Sequence, residues 1–250
     1  MAWPDQVRSL AVLTGAGVSA ESGVPTFRGE GGLWRSYRSE ELATPQAFRR
    51  DPELVWQWYD WRRELISACQ PNEAHVTLAE MERVAEAGAA GPYFVLITQD
   101  VDGLHRLAGS RNVLELHGNI WRQRCTRGCR APWTDRRVPL PEIPPSCPEC
   151  GALARPDVVW FGEPLPGSVL EAALAAARRC QLLLVVGTSA LVQPAASLPL
   201  LALDAGAHVI EINPQPTPLS DAVQEVIRQP AAVALPSWWS AWQTTGKSRA

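Results

Sequence analysis

Five short apolar runs recur along the chain with little polar interruption: residues 7–13, Tyr93–Thr98, Val113–Leu116, Leu182–Val186 and Ala207–Ile212. Runs of four to seven apolar residues bounded by turn formers predict strands buried on both faces. Between them the apolar positions recur at helical spacing. Helices are expected over Leu42–Arg50, Pro52–Ala68, His75–Ala87, Ser168–Arg179, Pro194–Ala205, Leu219–Ile227 and Leu235–Trp242. The second of these starts on Pro52 behind Asp51, a proline at the first helical position after a capping carboxylate. Pro71-Asn72 precedes the third, which ends at Gly88. Strands alternating with helices predict an α/β fold, a Rossmann-like parallel sheet with helices on both faces. Residues 121–160 break the pattern with prolines, arginines and cysteines.

The first strand runs into Gly15-Ala16-Gly17, with Ala20 at the third position of a G-x-G-x-x-G/A fingerprint. There Gly15 would supply a tight bend and Gly17 a close approach to pyrophosphate. A small residue at 20 would let helix and strand pack. The helix that follows would offer its free N–H groups to an anion. Gly23-Val24-Pro25 cuts that helix short. Phe27-Arg28-Gly29-Glu30-Gly31-Gly32 then forms a glycine-rich loop with an aromatic and a cation, unlike a plain dinucleotide-binding unit.

Three further groups follow strand ends, where a parallel sheet presents its ligand crevice. Thr98-Gln99-Asp100-Val101-Asp102 carries an amide and two carboxylates suited to ribose hydroxyls or a carboxamide; Asp100 and Asp102 are equally good helix caps. His117-Gly118 places an imidazole at the crevice as a general base, with Gly118 allowing close approach. His105 is a rival for that role, whereas His75 and His208 read as structural. Gly187-Thr188-Ser189 and Asn213 suit phosphate and ribose contacts, or ordinary turns.

Cys125-x3-Cys129 and Cys147-x2-Cys150 form two close pairs. Four facing thiolates suit tetrahedral zinc with no open position, a structural site; two disulfides or four free thiols are the alternatives. Cys69 and Cys180 have no partner in sequence and read as inert. The chain thus divides into a discontinuous Rossmann-like domain (1–34, 91–120, 156–243), a small domain made of a helical insert (35–90) and a zinc-binding module (121–155), and a tail (244–250). The 250 residues are 46% hydrophobic and 20% charged, ample for a sizeable core, and the net charge of −3 argues against wholesale or sequence-specific nucleic-acid binding. No apolar run approaches the roughly 20 residues of a membrane helix. The start of the chain lacks signal-peptide character, and the cysteine pairs suit a reducing compartment, so a cytoplasmic protein without membrane partners is expected.

In their order these stretches resemble the sirtuin family of NAD-dependent protein deacylases, from about Leu10 to Pro236. Val159-x-Phe161-Gly162-Glu163 and Pro25-x-Phe27-Arg28-Gly29 belong to the same likeness. The resemblance implies NAD+ as a consumed co-substrate. It places NAD contacts at Gly15, Ala16, Gly17, Ser19, Ala20, Glu21, Pro25, Phe27, Arg28, Trp34, Gln99, Asp100, Val101, Asp102, Gly187, Thr188, Ser189, Asn213, Pro214, Gln215 and Ala231. His117 would be the general base, and residues 159–163 and 190–194 would pair with an acyl-lysine peptide as added strands. Tyr59-x-x-Arg62 is similar to the pair in the subgroup that removes malonyl, succinyl and glutaryl groups. Ala43 resembles the small residue widening its acyl pocket. Without the likeness, Arg62 would be read as pairing with Asp60 or Glu64 on the surface. The implied products are free lysine, nicotinamide and O-acyl-ADP-ribose. NAD glycohydrolysis or ADP-ribosyl transfer, and a non-catalytic binding module, are the alternatives. Asp100 departs from the family's Asn, losing an NH2 donor and adding charge, and Gln229-Pro230-Ala231 departs where a glycine is usual.

Overall fold

A computed structural model describes residues 7–25, 37–87 and 93–247. The expected runs form strands: β1 (Ser9–Thr14), β2 (Tyr93–Thr98) and β3 (Val113–Glu115). The cysteine-rich segment adds β4 (Gly118–Cys125), β5 (Trp133–Thr134) and β6 (Ala154–Val158), and β7 (Leu182–Val186), β8 (His208–Ile212) and β9 (Glu225–Ile227) complete the set. The helices are α1 (Ser39–Leu42), α2 (Pro45–Arg50), α3 (Pro52–Ser67), α4 (Glu73–Ala87), α5 (Leu104–Leu107), α6 (Gly167–Arg179), α7 (Leu198–Asp204) and α8 (Ala231–Lys247).

Six strands form one parallel sheet in the order β3-β2-β1-β7-β8-β9, and every described pairing in it is parallel. One face packs on α4 and α8 through Leu10, Val12, Leu78, Met81, Leu184, Ile210 and Leu235. The other packs on α6 and α7 through Ala11, Leu13, Ile97, Ala173, Ala177, Val185 and Leu198. The residues of β1 and β7 alternate between these two cores, which is why both strands read as unbroken apolar runs. The chain reverses its order between β1 and β7, so their carboxyl ends form the switch-point crevice. An antiparallel sheet, β5-β4-β6, carries the cysteines.

Several boundaries differ from the periodicity. Leu42–Arg50 is two helices, because Pro45 cannot donate a backbone hydrogen bond and Thr44 Oγ1 caps the second by accepting from the Ala47 N–H at 3.0 Å. Ala43 lies at this break, 4% exposed. Leu219–Ile227 is not a helix but turns leading into edge strand β9. The Glu211 carboxylate, 1% exposed, accepts from Thr217, Ser220 and Arg228, and Gln224 Oε1 accepts from the Val209 N–H; these bonds hold the segment extended. α8 starts four residues earlier than expected and runs into the polar tail as far as Lys247. Its amino end is capped by Glu21, whose Oε2 accepts from the Ala232 N–H at 3.0 Å.

Helix α3 joins the two sheets. Asp51 caps it by accepting from the Leu54 N–H. Trp56 Nε1 donates to the Ala154 carbonyl at 2.8 Å and Asp60 Oδ1 accepts from the Leu140 N–H at 3.0 Å. The wholly buried Arg63 guanidinium donates to the carbonyls of Asp135 and Arg137. Trp56, Asp60 and Arg63 recur at helical spacing and face the cysteine-rich module; Tyr59 and Arg62 lie on the adjoining face.

Candidate active site at the carboxyl ends of the central strands

After β1 the chain forms two short 3-10 turns, Ala16–Val18 and Ala20–Ser22, rather than the expected α-helix. Gly15 is extended, with φ −141°, and makes no tight bend. Its missing Cβ makes room for Thr188, 3.0 Å from where that atom would sit. Gly17 is closed off likewise: a Cβ there would stand 2.7 Å from the Gly187 carbonyl oxygen. One on Gly187, at φ +62°, would stand 2.4 Å from Val18 N. The glycines therefore let the loops after β1 and β7 interlock, joined by the Gly17 N–H to Gly187 O bond at 2.8 Å. Ala20 is exposed, so helix–strand packing does not set its size. Gly23, at φ +88°, ends the second turn before Val24-Pro25. Phe27, Arg28 and Trp34 lie outside the described residues.

Below this loop lies a buried polar network. Asp102 is 5% exposed; its Oδ1 accepts from the Leu104 N–H at 2.8 Å, capping α5, and its Oδ2 accepts from Ser19 Oγ at 2.7 Å. With the Ser19 proton committed to a carboxylate, His75 Nε2, 3.2 Å from Ser19 Oγ, must be the donor to it. His75 Nδ1 then accepts from the Asn72 N–H at 3.3 Å. Burial pushes the His75 ring down to about 4, so it is neutral at pH 7. Its helical position carried no sign of the bond to Ser19; the structural reading of His75 stands, as a buried ring that holds Ser19 beside Asp102. His105 is buried below the crevice, with Nε2 3.0 Å from Thr14 Oγ1, which removes it as a rival base.

Asp100 Oδ2 lies 3.2 Å from Thr98 Oγ1 and 3.5 Å from Thr14 Oγ1, both donors to it. Burial first, and then the neighbouring Asp102 carboxyl, push Asp100 well above the usual carboxylate range, against the pull of the two hydroxyls. Gln99 Nε2 donates to Thr188 Oγ1 at 3.0 Å, and Asn213 Nδ2 donates to the Thr188 carbonyl at 2.7 Å, tying β2, β7 and β8 at their ends. Ser189 and Gln215 follow in the same loops; Gln215 N–H donates to Asn213 Oδ1 at 3.4 Å. Ala231 opens α8 and is 3% exposed, its side chain packed in the core of the parallel sheet.

His117 follows β3 by two residues. Its Nδ1 is 2.9 Å from the Gln99 carbonyl oxygen, which can only accept. The proton is therefore on Nδ1 and Nε2 carries the lone pair. Burial lowers the ring below the usual imidazole range, opposed by the bond to Gln99, which leaves a neutral base. Gly118 does not provide close approach to a ligand. At φ +81° its missing Cβ would lie 2.1 Å from the Asp157 carbonyl oxygen, so the glycine is demanded by β4–β6 pairing.

On the adjoining wall, Tyr59 is 2% and Arg62 4% exposed, which overturns the surface-pair reading of Arg62. Burial lowers the Arg62 pKa, while Tyr59 and Asp102 raise it. Ala43 meets this wall through its carbonyl, which accepts from the Phe161 N–H at 2.9 Å. Trp160, passed over in the sequence, donates from Nε1 to the Tyr59 oxygen at 2.9 Å. Glu163 is held by both terminal nitrogens of Arg155, at 2.6 and 2.8 Å, and accepts from the Trp160 N–H. It thus stiffens the 159–163 segment, with Gly162 at φ +84° in its turn and Phe161 45% exposed.

The four sulfurs of Cys125, Cys129, Cys147 and Cys150 lie within 4.8 Å of one another, with contacts of 3.3 to 3.5 Å between them. A disulfide needs about 2.05 Å, so the pairing alternative fails. Zinc–sulfur bonds of about 2.3 Å in a tetrahedron put sulfurs about 3.8 Å apart, close to this cluster. Gly128 and Gly151, at φ +65° and +67°, make the two knuckle turns, as their positions suggested. The donor set fits a structural zinc ion. No described helix is long and apolar enough to cross a membrane.

A family model described as the Sir2 family matches residues 15–194. An NAD-dependent protein deacylase 1 of Caldanaerobacter subterraneus subsp. tengcongensis is 57% identical over 209 residues, 84% of this chain and 84% of its own. An NAD-dependent protein deacylase of Aquifex aeolicus is 52% identical over 227 residues, 91% of this chain and 92% of its own. Among solved structures, a Sir2 homologue in complex with NAD has a TM-score of 0.88 at 49% identity, covering 96% of this chain and 91% of that one. A Sir2 complex with a p53 peptide and NAD+ has a TM-score of 0.79 at 31% identity, covering 97% and 95%.

Proposed function

This chain belongs to the Sir2 family, and from that premise we propose that it is an NAD-dependent protein-lysine deacylase acting on succinyl and malonyl groups as well as acetyl. The observation that carries the acidic-acyl reading is the burial of Arg62 and Tyr59 one turn apart on α3, with Tyr59 in the same apolar cluster as Ala43. A guanidinium taken out of water gains from an incoming carboxylate, and a phenol beside it adds a second donor. An acetyl group has no charge to offer there.

In this reading NAD+ is a consumed substrate lying across the ends of β1, β2, β7 and β8. Gly15, Ala16, Gly17, Ser19, Gln99, Asp102, Gly187, Thr188, Ser189 and Asn213 line its site, and the expectations on Phe27, Arg28 and Trp34 stand beside them. Amides, hydroxyls and carboxylates in that number suit ribose and phosphate groups. The acyl oxygen displaces nicotinamide at C1′ of the ribose. Positive charge gathers on the sugar, and Asp102 supplies negative charge close by. His117, with Nδ1–H anchored on Gln99 and Nε2 bare, takes the proton of a ribose hydroxyl, which attacks the acyl carbon. Water completes the release of free lysine and O-acyl-ADP-ribose. The substrate peptide adds as a strand against residues 159–163. Zinc takes no part in these steps and holds the module that braces α3.

Mass spectrometry of a succinyl-lysine peptide incubated with NAD+ tests the reading. Free lysine with O-succinyl-ADP-ribose is expected. ADP-ribose without deacylation would indicate a glycohydrolase, and no turnover a binding module. Arg62→Met should cut desuccinylation by about 10- to 100-fold, the loss of a charge-assisted pair, with a much smaller effect on deacetylation. Equal loss of both activities would rule out the carboxylate role.

A further inference from the structure

Trp160 closes a chain of contacts that ends on the Tyr59 hydroxyl. Its indole N–H can only donate, so the Tyr59 oxygen is the acceptor in their 2.9 Å hydrogen bond. That fixes the polarity of the phenol: its lone pair is used, and its own proton must go elsewhere. Among the described residues the hydroxyl makes no hydrogen bond besides the one it accepts from Trp160. A buried O–H without an acceptor is costly, and Tyr59 is only 2% exposed. The phenol also keeps its proton, because burial pushes its pKa up to about 12. The hydroxyl is therefore a donor in waiting, one helical turn from the Arg62 guanidinium.

The indole itself has little freedom. Arg155 stacks over its ring with the guanidinium carbon 3.3 Å from the centroid, and Phe48 packs beside it at 5.2 Å between centroids. Arg155 also grips both oxygens of Glu163, and Glu163 accepts from the Trp160 N–H. Trp160 is 2% exposed. Its direction is thus set by the segment that carries Val159 and Phe161.

We propose that Trp160 is a positioning residue for acidic acyl groups: its indole N–H takes the acceptor side of the Tyr59 oxygen and commits the Tyr59 proton to the acyl carboxylate received by Arg62. This rests on the acyl-carboxylate reading of Arg62. It assigns the preference for acidic acyl groups to three side chains rather than two, the third coming from the peptide-pairing segment. Docking of the peptide strand and aiming of the phenol are then parts of one rigid unit.

The test is a double-mutant cycle on KM and kcat for succinyl-lysine and acetyl-lysine peptides at saturating NAD+. Trp160→Phe keeps an aromatic ring and removes the N–H. It should raise KM for the succinyl peptide about five- to tenfold more than KM for the acetyl peptide, the selectivity lost by loosening one hydrogen bond to a charge. In a Tyr59→Phe background the same substitution should have no further effect on succinyl selectivity, because no proton is left to aim. An equal factor in both backgrounds, or equal losses on both peptides, would overturn the assignment. Arg62→Met measured alongside separates the two levels. If it fails to discriminate the peptides, the carboxylate reading falls; if it discriminates and Trp160→Phe does not, only the role of Trp160 falls. Should Trp160→Phe not fold, benzothienylalanine at 160, with sulfur in place of N–H and the same shape, makes the same comparison.

Discussion

Acid should weaken this fold through His75 in particular. The ring is fully buried on α4, donates to Ser19 and accepts from the Asn72 N–H; a second proton on Nδ1 would give up the latter bond for Asn72 Oδ1, 3.1 Å away, while burial opposes the charge. Its folded pKa is about 4, against 6.5 for a free imidazole. The folded value is depressed, so the neutral ring's stability is present above pH 6.5 and is lost as pH falls from 6.5 towards 4. For one group with those two values, linkage gives a loss of about 2.5 kcal/mol between pH ~7.5 and pH ~4.5. His75→Gln can still place an N–H on Ser19 but does not titrate. Urea unfolding of both proteins at the two pH values isolates the contribution, since all other groups titrate in both. Wild type should lose about 2.5 kcal/mol more than the variant over that interval. Parallel losses in the two proteins would show that the His75 ring is protonated without cost and that the Ser19–His75–Asp102 hydrogen-bond polarity is wrong.

Two other outcomes follow from the geometry. Gly187→Ala forces a Cβ to within 2.4 Å of Val18 N at φ +62°, and should cost about 2–4 kcal/mol in denaturant unfolding while separating the loops after β1 and β7; a loss under about 0.5 kcal/mol would mean the two loops part easily. Cys147→Ser should reduce bound zinc from one per chain to well below that by atomic absorption and lower the melting temperature by about 5–10 °C, because metal binding free energy is folding free energy; full zinc occupancy in the variant would remove the four-sulfur assignment.

The parallel sheet was legible because strands buried on both faces leave nearly unbroken apolar runs, as β1, β2 and β7 do, and β8 does apart from His208 and Glu211. The thiolate pairs were legible for the opposite reason, as chemistry with a fixed short spacing. β4 and β6 were not: arginines, a glutamine, a proline and an aspartate interrupt them, and Arg122, Arg124 and Arg155 find Glu115, Asp157 and Glu163 only in three dimensions. β9 was mistaken for a helix because the carboxylate that holds its approach, Glu211, sits on another strand. Within the site, His117, Gln99 and Asp102 could be placed from strand ends. His75 and Trp160 could not, since each acts through one hydrogen bond to a residue far away in sequence. The glycines at 15 and 17 were correctly singled out as special, but their freedom is spent on Gly187 and Thr188 as neighbours.

Helix α3 hydrogen-bonds the zinc-binding module largely through the module's main chain, and packs on it through Trp121, Val138, Leu140 and Ile143. Trp56 holds the carbonyl of Ala154, Arg63 those of Asp135 and Arg137, and Asp60 the N–H of Leu140. Such grips are indifferent to the side chains they pass. Outside its four cysteines, the turns that present them and the side chains packed on α3 (Trp121, Asp135, Val138, Leu140 and Ile143), the module can therefore change sequence without tilting the helix that carries Tyr59 and Arg62. Surface drift in that module, and any partner preference it acquires, is uncoupled from the choice of acyl group.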